Sequence, residues 1–274
     1  MYEKNLRYDK FIFNGFDCKD NFGIVRCNFD SEEDSISGGD IEINTYSLKN
    51  INEWKITSSK YSSPLSFSIS FCKCDGDFFD FEEMKKIGKW LVREDGYKLL
   101  EFYDGLNEDG TSVSEEICYE CKATKNIDWK LIGERCIGGT VSFICKHPYA
   151  RTKTKGFVMT DNSKIISCNS DTTYTYPYLI SIVSADNQDI KITIKNNHEE
   201  RTTEIKNCID GEQIKIDAIS KIIQTDRSYH NIANDFNYIF PRFYTGDEAT
   251  DNEIIITGNL TCFMDYYEAR KVVV

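Results

Sequence analysis

The sequence contains only three histidines among its 274 residues, and none of them lies in a pattern typical of metal ligands. His147, His198 and His230 form no HExxH-like pair and no Cys/His cluster. The Gly-x-Ser-x-Gly elbow of hydrolases, the phosphate-binding loop and a GxGxxG segment after a strand are also absent. These absences argue against metal-dependent, nucleophilic and nucleotide-dependent catalysis. We therefore expect no catalytic residues, no cofactor and no metal.

Long apolar runs and basic clusters are missing as well. No apolar run approaches the roughly 20 residues needed to cross a bilayer, and Met1 to Lys10 lacks the apolar core of a secretory signal. We expect a protein made in a cytoplasm-like compartment, with no membrane partner. The formal net charge of -12 argues against nucleic-acid binding, which needs a clustered excess of Lys and Arg. The densest basic stretch, Lys146 to Lys155, is typical of a solvated linker at a domain junction.

Cysteine is plentiful, but its pattern does not indicate a disulfide scaffold. The eleven cysteines are odd in number and lie in a long chain without an export signal. We expect reduced thiols, mostly buried, that pack like small hydrophobic side chains. The Cys72/Cys74 and Cys118/Cys121 pairs lack partner pairs at zinc-site spacing. On a strand, Cys118 and Cys121 would point to opposite faces.

Aromatic residues are abundant, whereas methionine is scarce, and this combination favours strands. The chain has 17 Phe, 16 Tyr and 3 Trp but only 4 Met. Its length allows one large domain or two ordinary ones. We predict a mainly β protein with two domains, residues 1–150 and 151–274.

Three local patterns in the first half predict specific elements. Lys10 to Phe16 is a strand candidate that runs into an Asn14-Gly15 turn. Pro64 to Phe71 alternates apolar and polar residues, which places every second side chain in the core. A helix is predicted over residues 81–92, with Asp80 as N-cap, Glu83 completing a capping box and a staple between residues 79 and 84. Its predicted apolar face consists of Phe81, Met84, Ile87, Gly88 and Leu91.

The second half is almost free of helical patterns. Short β-type runs are separated by polar turns, which is typical of a sandwich. The predicted strands are residues 178–183, 190–194, 202–206, 213–216 and 253–257.

Two kinds of binding or catalytic residue remain open to interpretation. The 45 acidic residues create many adjacent carboxylates by chance, so no glycosidase dyad can be identified from sequence adjacency. Tyr174, Tyr176 and Tyr178 alternate around Pro177. This stripe could be a sugar platform, a protein contact or the solvent side of a sheet. Sugar binding is therefore retained as an alternative function.

Ordered segments resemble the distal tail protein family of siphophages. Phe11 to Val25 (FIFNGFDCKDNFGIV) is similar to the family's N-terminal "FNG…FGI" stretch, carried by Phe13, Asn14, Gly15, Phe22, Gly23 and Ile24. A helix ending in KWLV and the segments DGYKLLEFYDG and TVSFICKHPYA follow in order. Residues 240–259 (FPRFYTGDEATDNEIIITGN) resemble the family's Phe-Pro…Gly-Asn-x-Ile…Gly pattern, carried by Phe240, Pro241, Gly246 and Gly258.

The resemblance implies a fold and an assembly. The first domain would be a β-sandwich or split barrel with one helix, forming a homo-hexameric ring. The second would be a galectin-like β-sandwich directed outward, with the last strand a candidate to return to the first domain. Implied partners are the tail tube protein, the tail tip protein and receptor-binding proteins, with DNA only passing through the channel. The implied location is the virion tail, assembled in the host bacterial cytoplasm.

Overall fold

The computed structural model describes residues 10–29, 39–47, 53–103, 117–160, 163–246 and 248–271. The described chain divides into two compact units, one taking in the chain up to Arg151 together with Lys271, the other Thr152–Arg270. Strands dominate both units, so the prediction of a mainly β, two-domain protein is confirmed. None of the described helices is both long and apolar enough to cross a membrane.

The first unit is built on one antiparallel sheet that curls into a half-barrel. Its strand order is β2-β1-β7-β8-β10-β6-β3, with β9 paired to β10 and β11 to β8, while β4 and β5 form a separate hairpin. The elements are β1 (Lys10–Phe13), β2 (Phe16–Asp17), α1 (Cys18–Phe22), β3 (Ile24–Arg26), β4 (Ile41–Ser47), β5 (Trp54–Tyr61), β6 (Ser66–Lys73), α2 (Phe81–Leu91), β7 (Lys98–Tyr103), β8 (Ile117–Ala123), β9 (Asp128–Ile132), β10 (Arg135–Cys145) and β11 (Ala150–Thr152).

Strand β6 shows how the sequence pattern builds this core. The four apolar side chains of the alternating segment are all buried, as predicted: Leu65, Phe67, Ile69 and Phe71. The intervening serines point the other way, and Ser68 and Ser70 exchange hydroxyl hydrogen bonds with Ser142 and Thr140 of β10 at 2.9 Å each. Period-two alternation is therefore sufficient to assign the core face of this strand.

Helix α2 begins after Asp80 as predicted and ends at Leu91, one residue early. The Glu83 N–H donates to Asp80 Oδ1 at 2.8 Å, and the Asp80 N–H donates to Glu83 Oε2 at 2.9 Å, which confirms the capping box. The predicted apolar face is wrong in part, because Phe81 is 75% exposed and Trp90 is buried. Trp90 follows Phe81 by nine residues, which is two and a half helical turns, so the two side chains lie on opposite sides.

Replacing Asp80 with alanine is expected to destabilise the first unit by about 1 kcal/mol, because α2 loses its N-cap acceptor. Asp80→Asn, which retains a capping oxygen, should cost less. Denaturant unfolding followed by tryptophan fluorescence measures both. Equal losses for the two variants would show that the cap is not the source of the effect.

The second unit is a sandwich of two antiparallel sheets. Their strand orders are β12-β22-β15-β18-β19 and β13-β21-β16-β17, and β14 pairs separately with β20. One apolar core receives side chains from both sheets. The elements are β12 (Lys155–Met159), β13 (Ser163–Cys168), β14 (Tyr174–Thr175), β15 (Leu179–Ser184), β16 (Gln188–Lys195), β17 (Glu200–Cys208), β18 (Gln213–Asp217), β19 (Ile222–Thr225), α3 (Ile232–Asp235), β20 (Phe243–Tyr244), β21 (Thr250–Thr257), β22 (Leu260–Tyr266) and β23 (Ala269–Arg270).

All five strands predicted for the second half are present, with ends shifted by at most three residues. The sequence analysis missed several others, of which β22 is the longest. Leu260, Cys262, Met264 and Tyr266 alternate into the core along this strand. The alternation was available in the sequence, but a cysteine and a methionine stand where β-branched residues would signal a strand.

Candidate functional site

The β4–β5 hairpin has one apolar and one polar face, and nearly all of it is exposed. Directly paired residues share a face, so Ile41 pairs with Tyr61, Thr45 with Ile56, and Ser47 with Trp54 on the first side. Ile43 lies on the same side. The other side carries Glu42, Asn44, Tyr46, Lys55, Ser58 and Lys60, with an ion pair between Glu42 and Lys60 at 3.3 Å.

A β-bulge in β5 is what aligns the apolar residues. Asn44 pairs with Ser58 but Thr45 pairs with Ile56, so Thr57 is the extra residue. Its hydroxyl donates to the Asn44 carbonyl at 3.0 Å. Without the extra residue, Trp54 and Ile56 would point to the polar face, because a shift of one residue reverses a strand's sides.

The large apolar side chains of this hairpin are open to solvent. Trp54 is 72% exposed and Ile56 66%, and Ile41 and Ile43 are each more than half exposed. At its base, the Ser62 N–H donates to the Asp40 carbonyl at 2.8 Å. Residues 48–52, between the two strands in sequence, lie outside the described residues. A two-stranded hairpin is marginal in water by itself, and a contiguous apolar patch of this kind marks an interaction surface.

The Asn14-Gly15 pair forms the tight turn expected between β1 and β2. Both residues have positive φ, 52° and 79°, the conformation of a two-residue hairpin turn that asparagine and glycine adopt most easily. The Asn14 N–H donates to the Leu99 carbonyl at 2.9 Å, which ties the turn to β7. Phe13 lies in the core beside Trp90, whose indole N–H donates to the Phe13 carbonyl at 2.9 Å.

The second part of the N-terminal family motif, Phe22 to Ile24, lies at the end of the short helix α1. Its phenylalanine contacts the same tryptophan, Trp90. The ring of Phe22 stacks on Trp90 with centroids 4.0 Å apart. Gly23 ends the helix in the left-handed region, with φ of 63°, and Ile24 is fully buried. The structure therefore brings Phe13 and Phe22 together around Trp90, in positions that serve the core of the first unit.

The C-terminal motif residues lie in the second unit. Phe240 and Pro241 are buried, with the Phe240 ring edge-to-face on Phe236. The Gly246 N–H donates to Thr250 Oγ1 at 3.0 Å and so shapes the approach to β21. Gly258 has φ of 123°, in a turn that a side chain would strain.

The three tyrosines of the alternating stripe do not form one platform. Tyr174 lies beneath the Arg242 guanidinium, 3.7 Å from the ring centroid, and Tyr176 beneath the Lys221 ammonium, 4.0 Å from the centroid. Tyr178 instead stacks on Tyr267 with centroids 5.6 Å apart. Tyr174 and Tyr176 thus each have a cation on the ring, whereas Tyr178 pairs with another tyrosine.

The three histidines have separate surroundings. Burial lowers the pKa of His147, although Glu120 acts to raise it. His198 is exposed and stacks on Tyr244. His230 is buried, with Nδ1 2.6 Å from Glu212 Oε1. Within the described part of the chain, no cluster of three or more His, Cys, Asp or Glu is arranged to hold a metal ion.

All eleven cysteines are free, and eight of them are buried, as the sequence indicates. Burial raises the pKa of Cys145, Cys208 and Cys262 to about 12. Cys121 belongs to the core of the first unit, whereas Cys118 is buried outside that cluster. These thiols are therefore unreactive as nucleophiles at neutral pH.

Cys74 is expected to be the one thiol that reacts rapidly with a disulfide reagent in the native protein, because it alone is exposed. Burial still raises its pKa, so the rate should increase above neutral pH. Spectrophotometric thiol titration should show one fast group in the native state and all eleven after denaturation. Cys74→Ser should remove the fast phase and Cys262→Ser should not. A fast phase that survives in Cys74→Ser would contradict the assignment.

Comparisons with known proteins agree with this architecture. A family model described as a phage tail protein N-terminal domain matches residues 6–147, and one described as a phage tail C-terminal domain matches residues 148–266. A search of curated proteins finds no match. The fold is similar to the crystal structure of the SPP1 Dit (gp 19.1) protein, with a TM-score of 0.61 and 12% identity over 94% of this chain and 98% of that one.

That structure is described as a paradigm of the hub adsorption apparatus in phages that infect Gram-positive bacteria. At this identity the likeness concerns the fold, while the family models together cover most of the sequence. The chain therefore belongs to the phage tail protein family that these two models describe.

Proposed function

We propose that this chain is a structural, non-enzymatic protein that forms a hexameric ring between the tail tube and the tip or host-adsorption apparatus. The observation that carries the proposal is the exposed apolar face of the β4–β5 hairpin. A ring requires the same heterologous contact to repeat by rotation, so this face would dock on a different surface of the next copy. Removing Trp54, Ile56 and their neighbours from water would supply the driving force.

The second unit has the size and the position in the chain that the resemblance to distal tail proteins implies for an outward-facing sandwich. We infer that its galectin-like form contacts tip and receptor-binding proteins. Hub function is stated for the SPP1 protein of the same fold, which supports the proposal for this chain. The ring would be assembled in the host bacterial cytoplasm and carried in the virion tail.

The acidic composition suits a channel through which DNA passes. Six copies would carry a formal charge of 6 × -12 = -72. Like charge discourages phosphates from adhering to the wall. DNA would then be a passenger of the ring and would not be bound by it.

Purified tails test this function. We expect the protein at six copies per particle, located by antibody labelling at the end of the tube. A protein that is absent from intact particles, or present at a number of copies that no single ring accommodates, would overturn the proposal.

The alternative function, a carbohydrate-binding module, has one specific observation in its favour. The His198 and Tyr244 rings stack with centroids 4.3 Å apart, and His198 is exposed. This stack, beside Tyr174 of the tyrosine stripe, is a place where a sugar ring could lie.

A further inference from the structure

A continuous row of aromatic and cationic side chains crosses the surface of the second unit. We call it the aromatic–cation strip: His198, Tyr244, Tyr174, Arg242, Tyr176 and Lys221. The Tyr174 and Tyr244 rings are edge-to-face, with centroids 5.9 Å apart. The Arg242 guanidinium also lies against the Tyr174 ring, 3.7 Å from its centroid. Strands β14 and β20 hold Tyr174 opposite Tyr244 as a direct cross-strand pair. Residues far apart in sequence are thus fixed side by side.

One end of the strip opens into a polar cavity of about 340 Å³. Its lining offers a carboxylate, an amide, a hydroxyl and the face of an aromatic stack, contributed by Asn197, His198, Tyr244, Glu248 and Thr250. A stack of rings beside hydrogen-bonding groups is the combination that a sugar ring requires, since sugars present an apolar face and a rim of hydroxyls. Glu248 accepts hydrogen bonds but repels anions, so this end suits a neutral ring.

The other end of the strip is cationic in a protein that is otherwise acidic. Arg242 is bound to Glu199 through two hydrogen bonds of 2.6 and 2.9 Å. Toward the described residues, Arg201 donates only its Nε–H, to the Phe240 carbonyl, and so keeps its terminal N–H groups available. Lys221 rests on the Tyr176 and Phe240 rings at 4.0 and 5.1 Å, and no described carboxylate lies within 4 Å of it.

The surroundings of Lys221 show that these cations influence one another. Burial lowers the pKa of Lys221, and Arg201 and Arg242 lower it further, while Asp217 acts in the opposite direction. Lys221 lies in the turn between β18 and β19 and has a positive φ of 58°. A further anion placed here would relieve the repulsion among the three cations.

We propose that the aromatic–cation strip, together with the neighbouring Arg201, binds an oligosaccharide that carries anionic groups. A neutral sugar ring would lie at the His198–Tyr244 stack and a phosphate or carboxylate at Lys221 and Arg201. Several side chains of the strip lie between its two ends. A chain of several sugars therefore fits better than a monosaccharide, which could not reach both ends. Phosphate and uronate bring the same charge, and both satisfy the geometry.

The test is ligand-observed NMR titration of the full chain with matched probes. Pentamannose phosphate and hyaluronan tetrasaccharide supply the phosphate and the carboxylate. Dephosphorylated pentamannose and inorganic phosphate are the control probes. The first contains only sugar rings and the second only the anion. We expect at least one charged oligosaccharide to bind roughly tenfold more tightly than pentamannose or phosphate alone, because charge-assisted hydrogen bonds are added to ring contacts.

Two variants separate the ends of the strip, and a third serves as a matched control. Lys221→Met should weaken the charged probe roughly tenfold and leave pentamannose unchanged, whereas Tyr244→Ala should weaken both. Lys164→Met is the control, because Lys164 lies over another ring, Phe157, at 5.2 Å. Circular dichroism establishes that each variant is folded.

Several outcomes would overturn the proposal. Equal binding of charged and neutral probes would remove the role of the cations. Binding unaffected by both Lys221→Met and Tyr244→Ala would place the ligand elsewhere. No binding of any probe to the folded chain would leave the strip as a protein contact. None of these outcomes bears on ring formation, which is measured separately.

Discussion

Lysine at both Trp54 and Ile56 is expected to convert the proposed hexamer into monomers while leaving each subunit folded. Both side chains are mostly exposed in a single copy, so their replacement costs the isolated chain little. In the ring, the same positions would bury two ammonium groups in an apolar contact. The penalty is several kcal/mol per interface, equivalent to a loss of a thousandfold or more in association.

The measurement is the solution mass of the double variant together with its thermal midpoint. We expect the mass of one chain and a midpoint close to that of the dissociated parent. Ile132→Lys is a matched control, because Ile132 is also 66% exposed and also lies at the end of a hairpin of the first unit. A double variant that stays hexameric, or a control that dissociates as readily, would show that the β4–β5 hairpin is not the contact.

Trp90→Ala is expected to destabilise the first unit by about 3–5 kcal/mol, the largest loss that we predict for a single side chain. Its ring stacks between Phe22 at 4.0 Å and Phe11 at 5.6 Å. Truncation would leave a cavity under the turn at Asn14-Gly15 and deprive the Phe13 carbonyl of its indole donor. An unpaired buried acceptor adds about 1–3 kcal/mol to the cost of the cavity.

Denaturant unfolding followed by tryptophan fluorescence reports on the first unit specifically, because all three tryptophans, at 54, 90 and 129, lie in that unit. Trp54→Ala is the matched control and should change the stability of the monomer by less than about 0.5 kcal/mol, since Trp54 is exposed. Trp90→Phe keeps part of the stack but loses the indole donor, so its stability should fall between those of the other two variants. Similar stabilities for Trp90→Ala and Trp54→Ala would contradict this account of the core.

Elements with strong local signals could be predicted from the sequence. The alternation in β6, the capping box of α2 and the Asn14-Gly15 turn each depend on residues within a few positions of one another. The face of α2 was harder to assign, because Phe81 and Trp90 are both large and apolar. Only the surrounding sheet decides which of them is buried.

The candidate sites depend on contacts that local patterns do not contain. The apolar face of the β4–β5 hairpin arises from the bulge at Thr57, which changes the side to which Trp54 points. Alternation alone would also suggest that this face is buried within its own subunit. His198 follows β16 and Tyr244 precedes β21, so these distant residues meet only when the two strands pair. The cation over Tyr176 comes from a third segment, the turn that carries Lys221.

The solution mass of the purified full chain, measured by light scattering and followed by negative-stain imaging, tests directly whether the chain forms a hexameric ring. Six copies of 31.7 kDa give about 190 kDa, and we expect this mass together with a ring that encloses a central channel. A protein that remains monomeric as its concentration is raised, or that forms a closed dimer without a channel, would contradict the hexameric ring.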